Sequence, residues 1–287
     1  MPLLYGRKII VKVAGLTITE PRINFDIQRK ASSTPDTCTV LIYNLSKQNE
    51  QRIRDKSDQI SIEAGYQNRT GVIFNGPVAR VTRERRQLAR ITKIWLGVGG
   101  ASPTGIRGTF NMSYQRITSV RDIVKDIAAS FTPPLELGPL DAIPADLQKV
   151  TWNRTSSSAL ALDALLDGFD IDWYVDNGVL RFNEVGEGQP DKSRIRISPK
   201  NGLIGSPTIT EEGVRIRTFL NPLLELGGTI TLESEVVSGQ FKIAELNFRG
   251  DNWDGQFISD MDLRATGGGV QDRTPVEEQL GEGFLRT

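Results

Sequence analysis

Histidine is absent from the 287 residues. That removes the side chain that titrates nearest neutral pH and serves most often as general base and neutral metal ligand. Ser-His-Asp and Cys-His nucleophile systems, and zinc or facial-triad sites that need His, are therefore excluded within this chain. The single cysteine, Cys38, can form neither an internal disulfide nor a thiolate zinc cluster. It sits in the alternating stretch 37–43, where a half-buried strand position is its expected place. Net charge is missing as well: 35 Lys and Arg balance 35 Asp and Glu, so affinity for phosphates is not what this chain is built on. No apolar run approaches the roughly 20 residues that span a bilayer. The first 14 residues carry Arg7, Lys8 and Lys12 where a signal peptide needs an apolar stretch. The expectation is a soluble protein made in the cytoplasm, with no membrane insertion.

What is present is β pattern. Residues 8–13, 22–28, 37–43, 59–66, 72–83 and 88–98 each carry alternating or β-branched apolar residues. One helix interrupts them, with Ser46 as N-cap, Glu50 near its first turn and Ile53 as its apolar contact, ending near Asp55. Six strands joined by short Gly, Asn and Pro turns favour a closed barrel over an open sheet with exposed edges. The glycine-rich run 97–103 that follows has neither the GxGxxG nor the Walker spacing, and no Lys-Ser/Thr comes after it, so it reads as a linker.

The middle of the chain differs in kind. Thr118 or Ser119 caps a predicted helix to about Phe131, with Val120, Ile123, Val124 and Ile127 on one face and Pro133-Pro134 as its stop. A second helix runs from Ser157 or Ser158 to Leu166, with Gly168 as its C-terminal stop. Residues 171–175 and 179–182 flank Asp176-Asn177-Gly178, a strong hairpin signal because Asn-Gly accepts the positive φ of a tight turn. From about residue 193 the β pattern returns at 194–197, 204–209, 214–220, 229–232, 240–250 and 257–264. Beyond Ala265 a polar tail opens with three glycines and holds too few apolar residues to fold alone. The expected organisation is a first β-barrel domain over 1–100, an α+β module over 101–190, a second β-barrel domain over 191–265, and a polar tail over 266–287.

The two β-rich parts echo each other. Ile60-Ser61-Ile62-Glu63-Ala64 parallels Ile230-Thr231-Leu232-Glu233-Ser234, and Gly71, Ile73 and Val78 share the spacing of Gly239, Phe241 and Leu246. A chain carrying two similar barrels presents six similar units when three copies surround an axis, which lets a threefold protein meet a sixfold ring.

The run Ile23-Asn24-Phe25-Asp26-Ile27, followed by Cys38 to Tyr43 and Asn44-Leu45-Ser46, resembles the first domain of phage-type baseplate hub proteins. Asn201-Gly202-Leu203-Ile204-Gly205-Ser206-Pro207, Leu220-Asn221-Pro222, Gly239-Gln240-Phe241-Lys242-Ile243 and Gly250-Asp251-Asn252 are similar, in order and spacing, to the last barrel of that family. The likeness spans most of residues 1–265 and leaves the tail unmatched. It implies a homotrimeric hub in the baseplate of a virion tail or tail-like injection device, assembled in the host cytoplasm. Its partners would be the tail tube protein, the central spike protein and the tape measure protein, with DNA passing through a central channel without sequence-specific binding.

Candidate sites were weighed against that reading. Asp163, Asp167, Asp170 and Asp172 read as a solvated helix end, and Asp251, Asp254, Asp260 and Asp262 as an exposed hairpin loop whose spacing misses the calcium-loop pattern. Arg80, Arg83, Arg85, Arg86 and Arg90 gather at a hairpin tip without interleaved aromatics to stack bases. Trp95, Trp152, Trp173 and Trp253 are dispersed, which suits core or interface anchoring better than a sugar-binding row. The interface candidates are Trp253, Arg83, Arg85 and Arg86; no catalytic residue, cofactor or metal site is expected. The alternative from another class is a cell-wall-directed tail-tip enzyme or peptidoglycan-binding module, which the missing histidine and dispersed tryptophans disfavour.

Overall fold

A computed structural model describes residues 6–30, 36–56, 59–67, 69–86, 88–97, 108–132, 134–169, 171–176, 178–184, 195–211, 213–266 and 271–272. The linker residues 98–103, Pro133, Asp170, Asn177 and most of the tail lie outside the described residues. The first part comprises β1 (Arg7–Val13), β2 (Leu16–Ile18), β3 (Ile23–Lys30), β4 (Thr37–Tyr43), α1 (Lys47–Lys56), β5 (Gln59–Tyr66), β6 (Arg69–Arg86) and β7 (Ala89–Gly97). The middle contains β8 (Thr109–Tyr114), β9 (Thr118–Ser119), α2 (Val120–Ala129), β10 (Glu136–Leu137), β11 (Gln148–Lys149), β12 (Trp152–Ser157), α3 (Ser158–Leu166), β13 (Ile171–Asp176) and β14 (Val179–Glu184). The last part has β15 (Ile195–Ile197), β16 (Leu203–Thr210), β17 (Gly213–Phe219), β18 (Thr229–Glu233), β19 (Val237–Asp251), β20 (Phe257–Ala265) and β21 (Gln271–Asp272).

Local chemistry places these elements. Ser46 Oγ accepts the Asn49 N–H at 3.2 Å and starts α1, whose buried Glu50 and Ile53 face the sheet. In α2 the apolar face expected from spacing is buried, Val120, Ile123, Val124 and Ile127 all lacking solvent contact, although Ser119 holds the N-cap position without a side-chain bond. Ser157 Oγ accepts the Leu160 N–H at 3.3 Å and caps α3. Along β3 the alternation is complete: Ile23, Phe25 and Ile27 are buried.

The fold is mainly β. Its principal sheet follows the order β16-β17-β20-β19-β3-β4-β7-β6-β5-β1-β2, with β15 and β18 attached at β19. The expected closed barrels do not occur among the described residues, because this path has open ends at β16 and β2. The reason lies in two long strands. Residues 238–242 of β19 pair with β18, but residues 245–251 pair with β3, so the strand leaves its own set partway and joins the other half of the chain. β6 likewise pairs with β5 over its first half and with β7 over its second.

The two halves nonetheless repeat one order: β3-β4-β7-β6-β5-β1 in the first and β16-β17-β20-β19-β18-β15 in the second. They differ at the last step, where β1 runs antiparallel to β5 and β15 parallel to β18. Even turn bonds repeat, Asn44 N–H donating to Arg90 O in one half and Leu220 N–H to Phe257 O in the other. The echo of Ile60 with Ile230 holds in this frame, since Ile60 lies opposite Gly76 and Ile230 opposite Phe241. The second part of the echo was three residues out of register: Phe74 takes the place of Gly239, and Gly76 that of Phe241. An odd slip would exchange the two faces of an unbroken strand, but the bulge that leaves Ile73 unpaired between Val72 and Phe74 resets the alternation of β6 and hides it.

The middle segment holds a pairing that the sequence did not suggest, β8 with β12, in which Phe110, Tyr114 and Trp152 share one face, the Trp152 ring 5.6 Å from Phe110 and 6.3 Å from Tyr114, and Asn111, Ser113, Asn153 and Thr155 the other. In the tail, Gln271 and Asp272 pair with β19. The module is tied to the sheet by a buried charged cluster. Arg29 donates to Asp36 at 3.0 Å and to Asp176 of β13, and Arg181 reaches Asp176 at 3.2 Å. Nearby, Tyr174 Oη donates to Leu226 O at 3.3 Å. A Cβ on Gly227 would stand 2.2 Å from that hydroxyl, so only glycine, here at φ +73°, fits.

Candidate functional site

Eight consecutive strands, from β16 to β6, present one face to the core and the other away from it. The outer face is paved with ion pairs set directly opposite one another. Arg215 binds Asp262 through two bonds of 2.6 and 2.8 Å, and Arg217 binds Asp260 at 2.6 Å, across the β17–β20 pairing. Lys30 meets Glu245 at 2.7 Å and Arg249 reaches Asp26 at 3.7 Å, across the β19–β3 pairing. Lys93 stands 3.8 Å above the Trp95 ring. Hydrogen bonds donated to Asp262 and Asp260 hold the Arg215 and Arg217 guanidinium groups charged still more firmly than usual. Exposed pairs of this kind add little stability each. Their effect is to offset opposite charges along the face, leaving a polar surface with little net charge.

At one rim of this face lie two hairpin tips. In the β19–β20 turn, Trp253 is 69% exposed; in the β6–β7 turn, Leu88 is 93% exposed. Asp251 builds the first turn by accepting the N–H groups of Trp253 at 2.8 Å and Asp254 at 3.2 Å. Its other oxygen takes two bonds from Arg22, at 2.9 and 2.8 Å. Burial alone would raise the Asp251 carboxyl, but these bonds outweigh it and the net shift is downward. Asn252 locks the tip to the first half of the chain, accepting from Ile23 N–H at 2.8 Å and donating to Pro21 O at 2.9 Å.

The arginine group is split between the two faces of β6. Arg83 reaches inward to the buried Glu50 of α1, and Arg86 pairs with Glu84 at 3.3 Å on the other side. Arg85 lies directly opposite Arg90, a like-charge arrangement that costs energy within one chain. The two acidic groups also disperse. Asp163 accepts the Trp173 indole N–H at 2.8 Å, Asp172 stands 3.9 Å from Lys242, and Asp260 and Asp262 belong to the outer ion pairs, leaving Asp251 and Asp254 in the turn. No group of three or more His, Cys, Asp or Glu placed to hold a metal occurs among the described residues. Sequence reasoning missed Arg29, Asp36 and Asp176. Burial raises the Asp36 carboxyl to about 6 against the pull of Arg29. Only an acid two residues before Cys38, in a region otherwise strand-like, hinted at this cluster.

A broad polar β face with open strand edges and exposed apolar tips defines an assembly protein, whose chemistry lies in its surfaces. Several solved structures share this fold. The chain superposes on a tail protein from Neisseria meningitidis with a TM-score of 0.61 at 12% identity, covering 92% of this chain and 98% of that one. It superposes on the 43 kDa tail protein of prophage MuSo2 from Shewanella oneidensis with a TM-score of 0.63 at 8% identity, covering 90% and 97%. A third, from E. coli, is a type VI secretion component similar to T4 bacteriophage tail proteins gp27 and gp5; it gives a TM-score of 0.57 at 14% identity, covering 90% and 77%. No curated protein sequence matches. The family model for baseplate hub gp41 matches residues 10–262, and the chain belongs to that family. It is a structural hub protein of the tail baseplate in a phage or tail-like device.

Proposed function

We propose that three copies form a ring in which each chain contributes two similar β units, so that a threefold hub offers six equivalent positions to a sixfold tail tube. The first unit takes residues 1–100 and the second 191–265, each completing a barrel-like wall only within the ring; residues 101–190 form an outer module and 266–287 a tail. On its other side the ring seats a trimeric spike. The charge-cancelled outer face lines a central channel through which tape measure protein and DNA pass without sequence-specific binding. Assembly takes place in the host cytoplasm, without membrane insertion. The role is structural, without catalysis or cofactor.

The observation that carries this reading is the repetition of one strand order in the two halves, joined through β19 and β3. Two similar units in one chain are what a threefold assembly needs to match sixfold symmetry. Native mass spectrometry of the full chain tests it: a mass of three times the 31.7 kDa chain is expected, and a stable single chain at high concentration overturns it. A turbidity assay on purified cell walls should show no clearing.

A further inference from the structure

The β19–β3 seam inside the chain has a counterpart that is left open. Residues 80–86 of β6 pair only with β7, and β16 pairs only with β17, so one edge of each is without a strand partner among the described residues. The repeated order assigns these edges to the two sides of the seam. The bulge at Ala79 in β6 matches the bulge at Ala244 in β19, so Val81, Thr82, Arg83, Glu84 and Arg85 stand where Leu246, Asn247, Phe248, Arg249 and Gly250 stand in the seam. Through their partners in β17 and β4, Thr208, Ile209 and Thr210 stand where Asp26, Ile27 and Gln28 stand.

We propose that the open edge of β6 adds antiparallel to the open edge of β16 in a second copy of this chain, with Thr82 opposite Thr210, Arg83 opposite Ile209 and Glu84 opposite Thr208. The proposal rests on the ring reading and specifies its seam.

Backbone, burial and volume agree. In the seam, Asn252 N–H donates to Ile23 O across to β3, while Asp251 N–H donates back to Gln256 O. Alternation therefore turns the N–H groups of residues 246, 248 and 250 toward β3, and those of Val81, Arg83 and Arg85 toward the open edge. Ile27 is fully buried at the seam, whereas its counterpart Ile209 is 51% exposed in the single chain. In the seam a large residue faces a small one, Phe25 opposite Gly250. At the open edges the sizes are exchanged: Arg85 takes the glycine's place, and the bulge Gly205-Ser206-Pro207, with open space around Gly205, takes that of Phe25. A long unpaired edge is a template for another strand, and natural proteins protect such edges unless they use them.

A paired-cysteine variant, T82C/T210C, tests the register. Its seam counterparts Asn247 and Gln28 form a non-hydrogen-bonded pair, whose close Cα spacing suits a disulfide, and the native Cys38 is buried. Mild oxidation of the full-length variant should yield chains linked to one another on a non-reducing gel, with most protein above the single-chain band, while T82C or T210C alone stays uncrosslinked. In parallel, I209P, which removes an outward N–H without touching the β17 ladder, should reduce the native mass to one chain with circular dichroism unchanged. If the unsubstituted chain is an oligomer but T82C/T210C gives no linkage and I209P leaves the mass unchanged, the seam is overturned and the ring reading stands. A single-chain mass for the unsubstituted protein overturns both.

Discussion

Gly250 lies directly opposite Phe25 across the β19–β3 seam, and a Cβ added to Gly250 would stand 2.3 Å from the phenyl ring. The ring is buried and also packs edge-on against Phe257 at 6.4 Å, so it has nowhere to go. Gly250→Ala should lower stability by about 1–3 kcal/mol through overpacking. Urea denaturation checks this, and Phe25→Ala in the same chain should recover part of the loss, since it vacates the space that the new methyl needs.

The Asp251–Arg22 pair sets an acid limb on stability. Because the folded carboxyl holds its proton less readily than a free aspartate, whose pKa is about 3.9, its contribution is complete above about pH 4 and is lost as pH falls through the folded value. Asp251→Asn should flatten thermal stability in that range. Asp36 works in the opposite direction: with its carboxyl raised to about 6, its contribution is complete below about pH 4 and is lost as pH rises through about 6. Asp36→Asn should remove that decline while leaving the acid limb in place.

Arg29 is held by two carboxylates in a buried site. Asp176→Ala leaves a buried guanidinium short of a partner, and the expected cost is about 3–5 kcal/mol. The midpoint of thermal unfolding should fall accordingly. A loss below about 1 kcal/mol would show that water replaces the missing carboxylate.

Trp253 and Leu88 crown the two hairpin tips and touch little of their own chain. Trp253→Ala and Leu88→Ala should change stability by no more than about 0.5 kcal/mol. If the proposed assembly holds, each should weaken binding of a tube or spike protein, because exposed aromatic and aliphatic anchors at an interface lose affinity when truncated. Surface plasmon resonance against each candidate partner reads the difference.

Replacing Arg83, Arg85 and Arg86 with Ala should alter assembly more than DNA affinity. Removing Arg83 also strands the buried Glu50, so circular dichroism must accompany the native mass measurement. A large salt-dependent loss of DNA binding would contradict the expectation.

Most strands were legible because each buries one face and leaves the other wet. The spans 37–43 and 59–66 read from alternation alone coincide with β4 and β5, and the α2 face followed from its apolar spacing. The β8–β12 pairing was hard to read: Phe110, Met112 and Tyr114 alternate in β8, but β12 answers with one apolar residue, Trp152, followed by Asn153, Arg154, Thr155 and Ser156, and the polar face is ordered by side-chain bonds such as Ser113 Oγ to Asn153 Oδ1 at 2.6 Å. The exposure of Trp253 followed from its turn sequence, Asp-Asn-Trp-Asp-Gly. The division of the arginines between two faces follows from alternation along residues 80–86, whereas the bulge at Ala79, which leaves no mark in composition, decides which of those faces turns inward.

The order of residues by itself determined that this chain is β-rich, that it has no histidine-based chemistry and that its charges cancel, since these depend only on composition and on patterns within one strand or helix. Only the tertiary structure decided which strands meet. Whether β19 closes on its own half or crosses to β3 depends on pairing between residues more than 200 positions apart. Backbone hydrogen bonds are alike for any two strands, and the choice falls to packing such as Phe25 against Gly250, which is set only when the whole sheet is assembled.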